Sequence, residues 1–431
     1  MQDKENISLK PGTKITIGRF IAFCGFAILL SALVINPWMG KYWRDTHINF
    51  QDVFLIYFYW GIGTSAVLIL AGVVFSKTKS ALIENVIFMI LILSLFLMSD
   101  RFLLSKFGLP LWMPDLQNHF VHRPNATKTW GKEFDNKLIQ TNPYGHHDDE
   151  FPIEKAANEF RALMLGDSIT MGHGVTHREA FPNQVEQLLT KQPAGNFQSY
   201  QIINTGVQGY STFQERQVLS RSLVFQPDMV FIGFCMNDVI EPFIVNKQFG
   251  GKGIDYHEVS QVSNRVLSHL VNETGYGRLL YKIRTHKQSV NQEKEKEKYN
   301  VMYMAMNSTQ DKDIQNAWKL VIDEMTKIKN ISAEHHLNST ILIFPHTFQI
   351  FDTSLQSPQT ILREFATQNN IDVIDFTDVF SKRIDSELTR DTNREVLIKK
   401  YFLDEDHYTV EGHRIVAEYI SNYIRLKLTA Q

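Results

Sequence analysis

The pattern of hydrophobic and polar positions divides the chain into two unlike parts. Residues 20–38 and 53–76 contain no charged side chain, and neither do residues 85–99. Uncharged apolar runs of about 18 or more residues can cross a bilayer and are rare in helices of soluble proteins. The pattern therefore predicts a membrane region over 1–104 with three transmembrane helices, at about 20–38, 53–76 and 81–99. A buried helical bundle in a soluble domain is the alternative.

The basic residues next to these runs predict an orientation. Six lie on one side of the predicted membrane and four on the other; the six are Lys4, Lys10, Lys14, Arg19, Lys77 and Lys79, and the four are Lys41, Arg44, Arg101 and Lys106. Because loops rich in Lys and Arg stay in the cytoplasm, this count places the N-terminus inside. Three spans then place the C-terminal domain outside the cytoplasm.

From about residue 155 the pattern changes to short apolar runs that alternate with helical periodicity. The runs end at Gly, Asn or similar turn residues, as buried parallel strands do, and lie at 161–165, 200–204, 229–234, 339–344 and 371–376. Helices are predicted at 181–190 and 410–428, with a third marked by an apolar stripe at Ile314, Trp318, Val321, Met325 and Ile328. The alternation predicts one α/β domain over 155–431, with an open, doubly wound parallel sheet.

Two segments do not fit this alternation. Residues 105–154 are interrupted by prolines, among them Pro110, Pro114, Pro124 and Pro143, and are interpreted as a connector. Residues 240–310 fit no simple strand–helix unit and are interpreted as an insertion; the alternating charges at 292–298 are typical of a solvated helix face or loop.

Composition excludes two classes of protein. The 44 Lys and Arg residues are balanced by 46 Asp and Glu residues, so there is no broad basic field and nucleic-acid binding is not expected. With only two cysteines, the chain is not a small fold held together by disulfides.

Candidate chemistry lies where the predicted strands end. LGDSIT places Ser168 directly after the first strand, and serine is a nucleophile only when a base takes its proton. NTGVQGYST contains Gly209, whose backbone N–H can point at a developing oxyanion. GFCMND contains Asn237, whose amide can donate to the same oxyanion. An ordinary turn and an Asn-Asp helix cap are the structural alternatives for the last two blocks.

A fourth block, DEDHYTVEGH, precedes the last helix. Asp404 and His407 are three positions apart, which lets the carboxylate hold one imidazole nitrogen and leaves the other for Ser168. His413 is the rival base, but Val410 occupies the matching position before it, so we expect His413 to pack on the last helix.

Together these blocks resemble the SGNH (GDSL-type) hydrolase family. GDSIT contains the serine, Gly209 belongs to the glycine block, CMND contains the asparagine and DEDH contains the Asp-x-x-His pair. The resemblance covers about residues 155–431. It implies a flavodoxin-like three-layer α/β/α fold with a five-stranded parallel sheet, and acyl-ester chemistry without a metal or cofactor.

The resemblance also implies roles for these residues. Ser168 would be the nucleophile, His407 the base and Asp404 the residue that orients it, with an oxyanion hole made by the backbone N–H groups of Ser168 and Gly209 and the side chain of Asn237. We therefore expect a membrane-anchored serine hydrolase of acyl esters, acetyl esters among them, in a small molecule, glycan or lipid. The alternatives are an O-acyltransferase that modifies an envelope polysaccharide or glycolipid with a membrane partner as acyl donor, and a catalytically silent scaffold.

Two other groups of histidines attract attention. His146, His147, Asp148 and Asp149 have the residue types of a metal site, but adjacent side chains on an extended chain point to opposite sides. We expect this segment to pack on the rim of the catalytic domain. His346 follows the fourth strand on the same sheet edge as the blocks, where contact with substrate is the functional alternative to a structural position.

Overall fold

The computed structural model divides the chain into two compact units, Met1–Pro110 with Arg265–Ser289 and Leu111–Asn264 with Val290–Gln431. The residues that it describes are 19–26, 28–29, 50–77, 81–115, 117–239, 274–279, 302, 305–307, 311–389 and 392–429. Most of the predicted insertion at 240–310, including its alternating charges, lies outside these residues.

The first unit contains two long helices, α1 (Phe50–Lys77) and α2 (Ala81–Phe107). Tyr276, from the short described part of the insertion, packs on α2. Its ring stacks on Phe96 with centroids 4.9 Å apart, and its backbone N–H donates to Asp100 Oδ1 over 3.0 Å. The insertion therefore contributes to the first unit.

The three predicted transmembrane helices, at about 20–38, 53–76 and 81–99, are not supported by the structure. Among the described residues, no helix combines the length and the apolar character that a bilayer crossing requires. Residues 30–38 of the first predicted span lie outside the described part of the chain.

Two small antiparallel hairpins open the second unit. β1 (Trp112–Asp115) pairs with β2 (His119–His122), and β3 (Thr127–Thr129) pairs with β4 (Leu138–Gln140). Residues 111–154 of the segment interpreted as a connector therefore belong to the same compact unit as the predicted catalytic domain, whereas residues 105–110 belong to the first unit.

The second unit is built on a parallel sheet of five strands, as predicted. The strands lie side by side in the order β6-β5-β7-β8-β9; they are β5 (Glu159–Leu165), β6 (Ser199–Asn204), β7 (Met229–Phe234), β8 (Asn338–Ile343) and β9 (Asp372–Asp375). The chain runs outward from β5 to β6 and then crosses to β7 on the other side of β5. Open sheets bind ligands at such a reversal of strand order, outside the carboxyl ends of the strands.

Eight helices follow or connect these strands in the described part of the unit. They are α3 (Ser168–Met171), α4 (Phe181–Lys191), α5 (Thr212–Ser222), α6 (Lys312–Glu334), α7 (Ser357–Asn369), α8 (Phe376–Glu387), α9 (Arg394–Tyr401) and α10 (Val410–Thr429). The predicted helices at 181–190 and 410–428 are α4 and α10, each one residue longer than predicted.

Alternate residues of the fully buried strand β5 face two separate cores. Ala162 and Met164 pack with apolar side chains of α4, α8 and α10, whereas Leu163 and Leu165 pack with those of α5, α6 and α7. The apolar stripe predicted for α6 is buried in the second core at all of its positions, Ile314, Trp318, Val321, Met325 and Ile328. Helices on both faces of the sheet explain why the central strand β7 is apolar at every position.

Arg161 is a charged side chain that lies inside this apolar framework. Arg161, at the start of β5, is fully buried, and its guanidinium binds the Glu159 carboxylate at 2.6 Å. It also donates to the backbone carbonyls of Pro152, Ile153, Glu154 and Phe225, at 2.8–3.0 Å. Arg161 therefore fastens the chain that leads into the sheet.

Arg161→Met should destabilise the fold strongly. The substitution leaves the buried Glu159 carboxylate without its cation and four carbonyl groups without the guanidinium donor, and removing one partner of a buried ion pair costs about 3–5 kcal/mol. Urea unfolding of the full chain measures the loss. Lys399→Ala is the control, because Lys399 forms an exposed pair with Glu395 and should leave the unfolding midpoint unchanged. Equal midpoints for the two variants would contradict the assignment of Arg161 as a clamp.

Candidate active site

The turn after β5 presents Ser168 at the carboxyl edge of the sheet. Gly166 has no room for a side chain, since a Cβ there would lie 2.1 Å from Thr170 Oγ1. Asp167 caps the short helix α3, and its Oδ1 accepts from the Ile169 N–H over 2.8 Å. Ser168 is the first residue of that helix and is half-buried, while Asp167 before it and Thr170 two positions after it are buried. The turn therefore leaves one hydroxyl open to a ligand.

The structure brings Ser168, His407 and Asp404 into one chain of hydrogen bonds. His407 Nε2 lies 2.9 Å from Ser168 Oγ, although the two residues are 239 positions apart. His407 Nδ1 lies 2.8 Å from Asp404 Oδ2. With Nδ1–H donated to the carboxylate, Nε2 is free to accept the serine proton.

The loop before α10 fixes this carboxylate. Asp404 Oδ1 accepts from the backbone N–H of His407 over 2.9 Å and from that of Asp406 over 3.1 Å. Asp406, which the sequence analysis did not single out, places a second carboxylate oxygen 3.2 Å from His407 Nδ1. The only sequence signal for Asp406 is that two aspartates, Asp404 and Asp406, lie within three positions of His407.

The electrostatics of the pair favour a charged imidazole. Burial would lower the pKa of His407, but the hydrogen bond that His407 donates to Asp404 and the charges of Asp406, Asp404 and Asp167 outweigh it and raise that pKa above 6.5. Burial opposes ionisation of Asp404 as well, yet the hydrogen bond and charge of His407 hold the pKa of that carboxyl well below its ordinary value. As the pH falls through the raised pKa, His407 Nε2 takes a proton and can no longer accept one from Ser168.

Of the two donors predicted at the other strand ends, the Asn237 side chain contacts the serine turn. Asn237 follows β7, and its Nδ2 donates to Asp167 Oδ2 over 2.6 Å, so the amide is tied to the residue before Ser168. An amide has two N–H groups, and the second remains for a ligand. Gly209 has φ = 73°, a conformation that favours glycine, and lies half-buried after β6.

A group of buried carboxyls lies behind this edge. Burial raises the pKa of Asp167 to about 6 and that of Asp238 to about 7, and burial with the charges of Asp238 and Asp167 raises that of Glu215. Asp238 accepts from Thr212 Oγ1 over 2.8 Å and from the Cys235 N–H over 3.0 Å. Its hydrogen bonds fit the structural alternative of a cap for the Asn-Asp block. Glu215 sits in an ordinary amphipathic helix and gave no sequence signal.

The histidines outside the four blocks have structural contacts. His413 is buried on α10, where its Nδ1 accepts from the Phe181 N–H over 3.3 Å, as expected for a packing residue. His147 Nδ1 bonds to the carbonyl of Met171 at 2.8 Å, at the end of α3. The segment expected to pack on the rim of the domain has both a buried and an exposed part. Asp148 is buried and accepts from Asn183 Nδ2 at 2.6 Å and from a backbone N–H of β6, whereas Asp149 is exposed.

Two sets of residues in the described part of the chain have donor atoms close enough to share a metal ion. Cys235, His346 and Asp406 form one set, and Asp404, Asp406 and His407 form the other; within each set the donor atoms lie within 4.8 Å of one another. The second set consists of the imidazole and its own hydrogen-bond partners. In the first, His346 is buried, with its Nε2 3.8 Å from Asp406 Oδ2, and Cys235 packs in the apolar core.

Asp404→Asn should lower the pKa of His407. The substitution removes the charge and the strongest hydrogen bond that stabilise the imidazolium and leaves the opposing burial in place. Histidine ¹⁵N chemical shifts followed against pH in the full chain measure this pKa directly. Asp406→Asn should lower it less, because Asp406 acts through its charge. An unchanged pKa in Asp404→Asn would show that Asp404 does not hold the imidazole.

Comparison with solved structures finds several esterases of low sequence identity. An acetyl xylan esterase, AlAXEase, is 14% identical, with 62% of this chain and 100% of that chain covered and a TM-score of 0.36. The psychrotrophic esterase EstA from Pseudoalteromonas sp. is 12% identical, with 62% and 96% covered and a TM-score of 0.32. LAE5, an alpha/beta hydrolase enzyme from the metagenome of Lake Arreo, is 12% identical, with 64% and 98% covered and a TM-score of 0.37. Structural similarities at these TM-scores are too weak to support a conclusion about this chain.

The assignment rests on the family comparison. No curated protein matches the chain. The sequence model of the GDSL-like lipase/acylhydrolase family matches residues 164–415, which is more than half of the 431-residue chain and contains every block singled out above. The chain therefore belongs to the GDSL-like lipase/acylhydrolase family and is a hydrolase of ester bonds.

Proposed function

We propose that the protein hydrolyses acyl esters through an acyl-enzyme on Ser168, with His407 as general base and Asp404 as the residue that orients it. One observation carries the proposal: the continuous hydrogen bonds from Ser168 Oγ to His407 Nε2 at 2.9 Å and from His407 Nδ1 to Asp404 Oδ2 at 2.8 Å. A serine hydroxyl within reach of an imidazole that is itself held by a carboxylate is the arrangement that makes serine nucleophilic.

Acylation forms one bond and breaks another. Ser168 Oγ attacks the ester carbonyl carbon while its proton passes to His407 Nε2. The imidazolium formed there is stabilised by the carboxylates of Asp404 and Asp406. The bond from the carbonyl carbon to the alcohol oxygen then breaks, and the alcohol leaves with the proton from Nε2.

Deacylation repeats these steps with water as the nucleophile. His407 Nε2 takes a proton from water as the water oxygen attacks the acyl carbon, and returns it to Ser168 Oγ as the acid leaves. In both halves the carbonyl oxygen becomes negative. The donors proposed for it are the backbone N–H groups of Ser168 and Gly209 and the free N–H of Asn237, whose amide is oriented by Asp167.

The same residues would serve transfer of the acyl group to a sugar hydroxyl instead of water. The acceptor alone separates the two reactions, since the nucleophile, base and oxyanion donors have identical tasks in each. Hydrolysis is the proposed reaction, on acyl esters that include acetyl esters, and transfer to an envelope glycan or glycolipid is the alternative that the activity test distinguishes.

From the sequence alone, we also propose that the protein is attached to a membrane and that its catalytic domain lies outside the cytoplasm. Both proposals rest on the uncharged runs within residues 20–99 and on the count of six basic residues against four around them.

Ser168→Ala should hydrolyse para-nitrophenyl acetate at least about 1000-fold more slowly than the wild type, because no other group replaces the nucleophile. The full-length protein is assayed with and without a soluble glycan acceptor. Ser220→Ala, an exposed serine of α5 that bonds only within its helix, is the matched control and should keep wild-type activity. Full activity in Ser168→Ala would refute the proposed nucleophile, and acyl label on the glycan in place of free acid would establish the transferase.

A phosphatase fused to the C-terminus should be active in cells if the catalytic domain lies outside the cytoplasm, because this reporter folds only in an oxidising compartment. A fluorescent protein that folds only in the cytoplasm, fused at the same residue, should stay dark. A bright fluorescent fusion with an inactive phosphatase fusion would contradict the predicted placement.

A further inference from the structure

His173 contacts Ser168, His407 and the residue before Gly209, although no block of the sequence points to it. It lies in the turn after α3, and its backbone N–H donates to the carbonyl of Ser168 over 2.9 Å. Its ring lies against that of His407, with centroids 4.2 Å apart and planes tilted by 31°. Its Nδ1 accepts from Gln208 Nε2 over 2.5 Å, and Gln208 directly precedes Gly209.

The β3–β4 hairpin holds this ring in place. The Trp130 ring lies 4.4 Å from that of His173 and the Phe134 ring lies 5.1 Å from it, centroid to centroid. Trp130 is itself fixed, because its Nε1 donates to the carbonyl of Val175 over 3.0 Å. His173 is half-buried among these contacts. A ring with aromatic neighbours and a hydrogen bond has little freedom to rotate.

His173 is neutral when the enzyme works. Burial and the charge of His407 lower the pKa of His173 to about 4, so its ring does not repel an imidazolium beside it. The other titratable groups that act on His407 are Asp404, Asp406, Asp167 and His413, and burial lowers the pKa of His413 to about 3. The carboxylates therefore supply the charge around His407, and His173 supplies a neutral cover and a hydrogen bond.

We propose that His173 is a positioning residue that links the base to the oxyanion loop. Its ring holds the imidazole of His407 against Ser168, and its bond to Gln208 fixes the backbone at Gly209. The inference rests on the proposed function, because the positions of His407 and Gly209 matter for catalysis only if these residues act as base and oxyanion donor. A displacement of either group by about 1 Å is enough to slow a reaction of this kind strongly.

The two contacts predict different kinetic effects. The neighbouring ring of His173 keeps water from one side of His407, and this burial lowers the pKa of the imidazole. The hydrogen bond to Gln208 positions the backbone N–H of Gly209, a donor that matters mainly in the transition state. Loss of this hydrogen bond should therefore lower kcat and leave KM nearly unchanged.

The experiment measures para-nitrophenyl acetate kinetics of the full-length protein against pH. In His173→Ala, the acid limb of kcat/KM should move to higher pH, because His407 regains water on the uncovered face. In His173→Phe the limb should stay where it is in the wild type, since a ring still covers the imidazole, while kcat falls about tenfold through the loss of the bond to Gln208. Histidine ¹⁵N shifts of His407 report the same pKa without using activity.

Gln208→Leu removes the same hydrogen bond from the other side. It should lower kcat about as much as His173→Phe, and the double variant should be no slower than either single one, because they share one interaction. His335→Ala is the control: it lies at the end of α6, at the amino edge of the sheet, and should behave as the wild type.

Three results would overturn the inference. They are an acid limb in His173→Ala identical to the wild type, wild-type kcat in His173→Phe, and effects of His173→Phe and Gln208→Leu that multiply in the double variant. Each of these, with Ser168→Ala inactive, would leave the proposed hydrolase intact and remove only the role of His173. Full activity in Ser168→Ala would instead refute the proposed function itself.

Discussion

The position of one proton on His407 determines what the rest of the site can do. With Nδ1–H donated to Asp404, the ring has a single tautomer and a single orientation, and Nε2 faces Ser168. The carboxylate is fixed in turn by two backbone N–H groups of its own loop. The surrounding carboxylates raise the pKa of the imidazole, which suits a base that must carry charge during each half of the reaction.

The sheet topology explains why residues so far apart in sequence meet at this imidazole. All five strands are parallel, so their carboxyl ends share one edge, and the order β6-β5-β7 places the ends of the first three strands next to one another. Ser168, Gly209 and Asn237 follow β5, β6 and β7 in turn. The loop before α10 returns to the same edge and completes the arrangement with Asp404 and His407.

The parts that could be predicted from sequence are those with a periodic or local signal. Each of the five strands contains a short apolar run because helices cover both faces of the sheet, and α6 shows its buried stripe at helical spacing. The β1–β2 and β3–β4 hairpins have strands of only three or four residues, too short for a pattern, and one of these strands contains Pro114. Length and lack of charge alone predicted transmembrane helices that the structure does not support.

The same distinction holds within the site. Asp404 and His407 are three positions apart, so local spacing revealed them. The contacts of His173 join three distant segments, and a single sequence carries no signal for a contact between two rings 234 positions apart. Glu215 and Asp406 were missed for a related reason: their significance depends on burial and on neighbouring charges, which only the folded chain defines.

Covalent labelling tests the central claim most directly. A fluorophosphonate reacts with an activated serine and forms a stable phosphonyl ester, which peptide mass spectrometry can locate without knowledge of the natural substrate. The account predicts a single label on Ser168 in the wild type, abolished in His407→Ala, which keeps the hydroxyl and removes its base. A label on another serine, or equal labelling of Ser168 in the two proteins, would contradict the account.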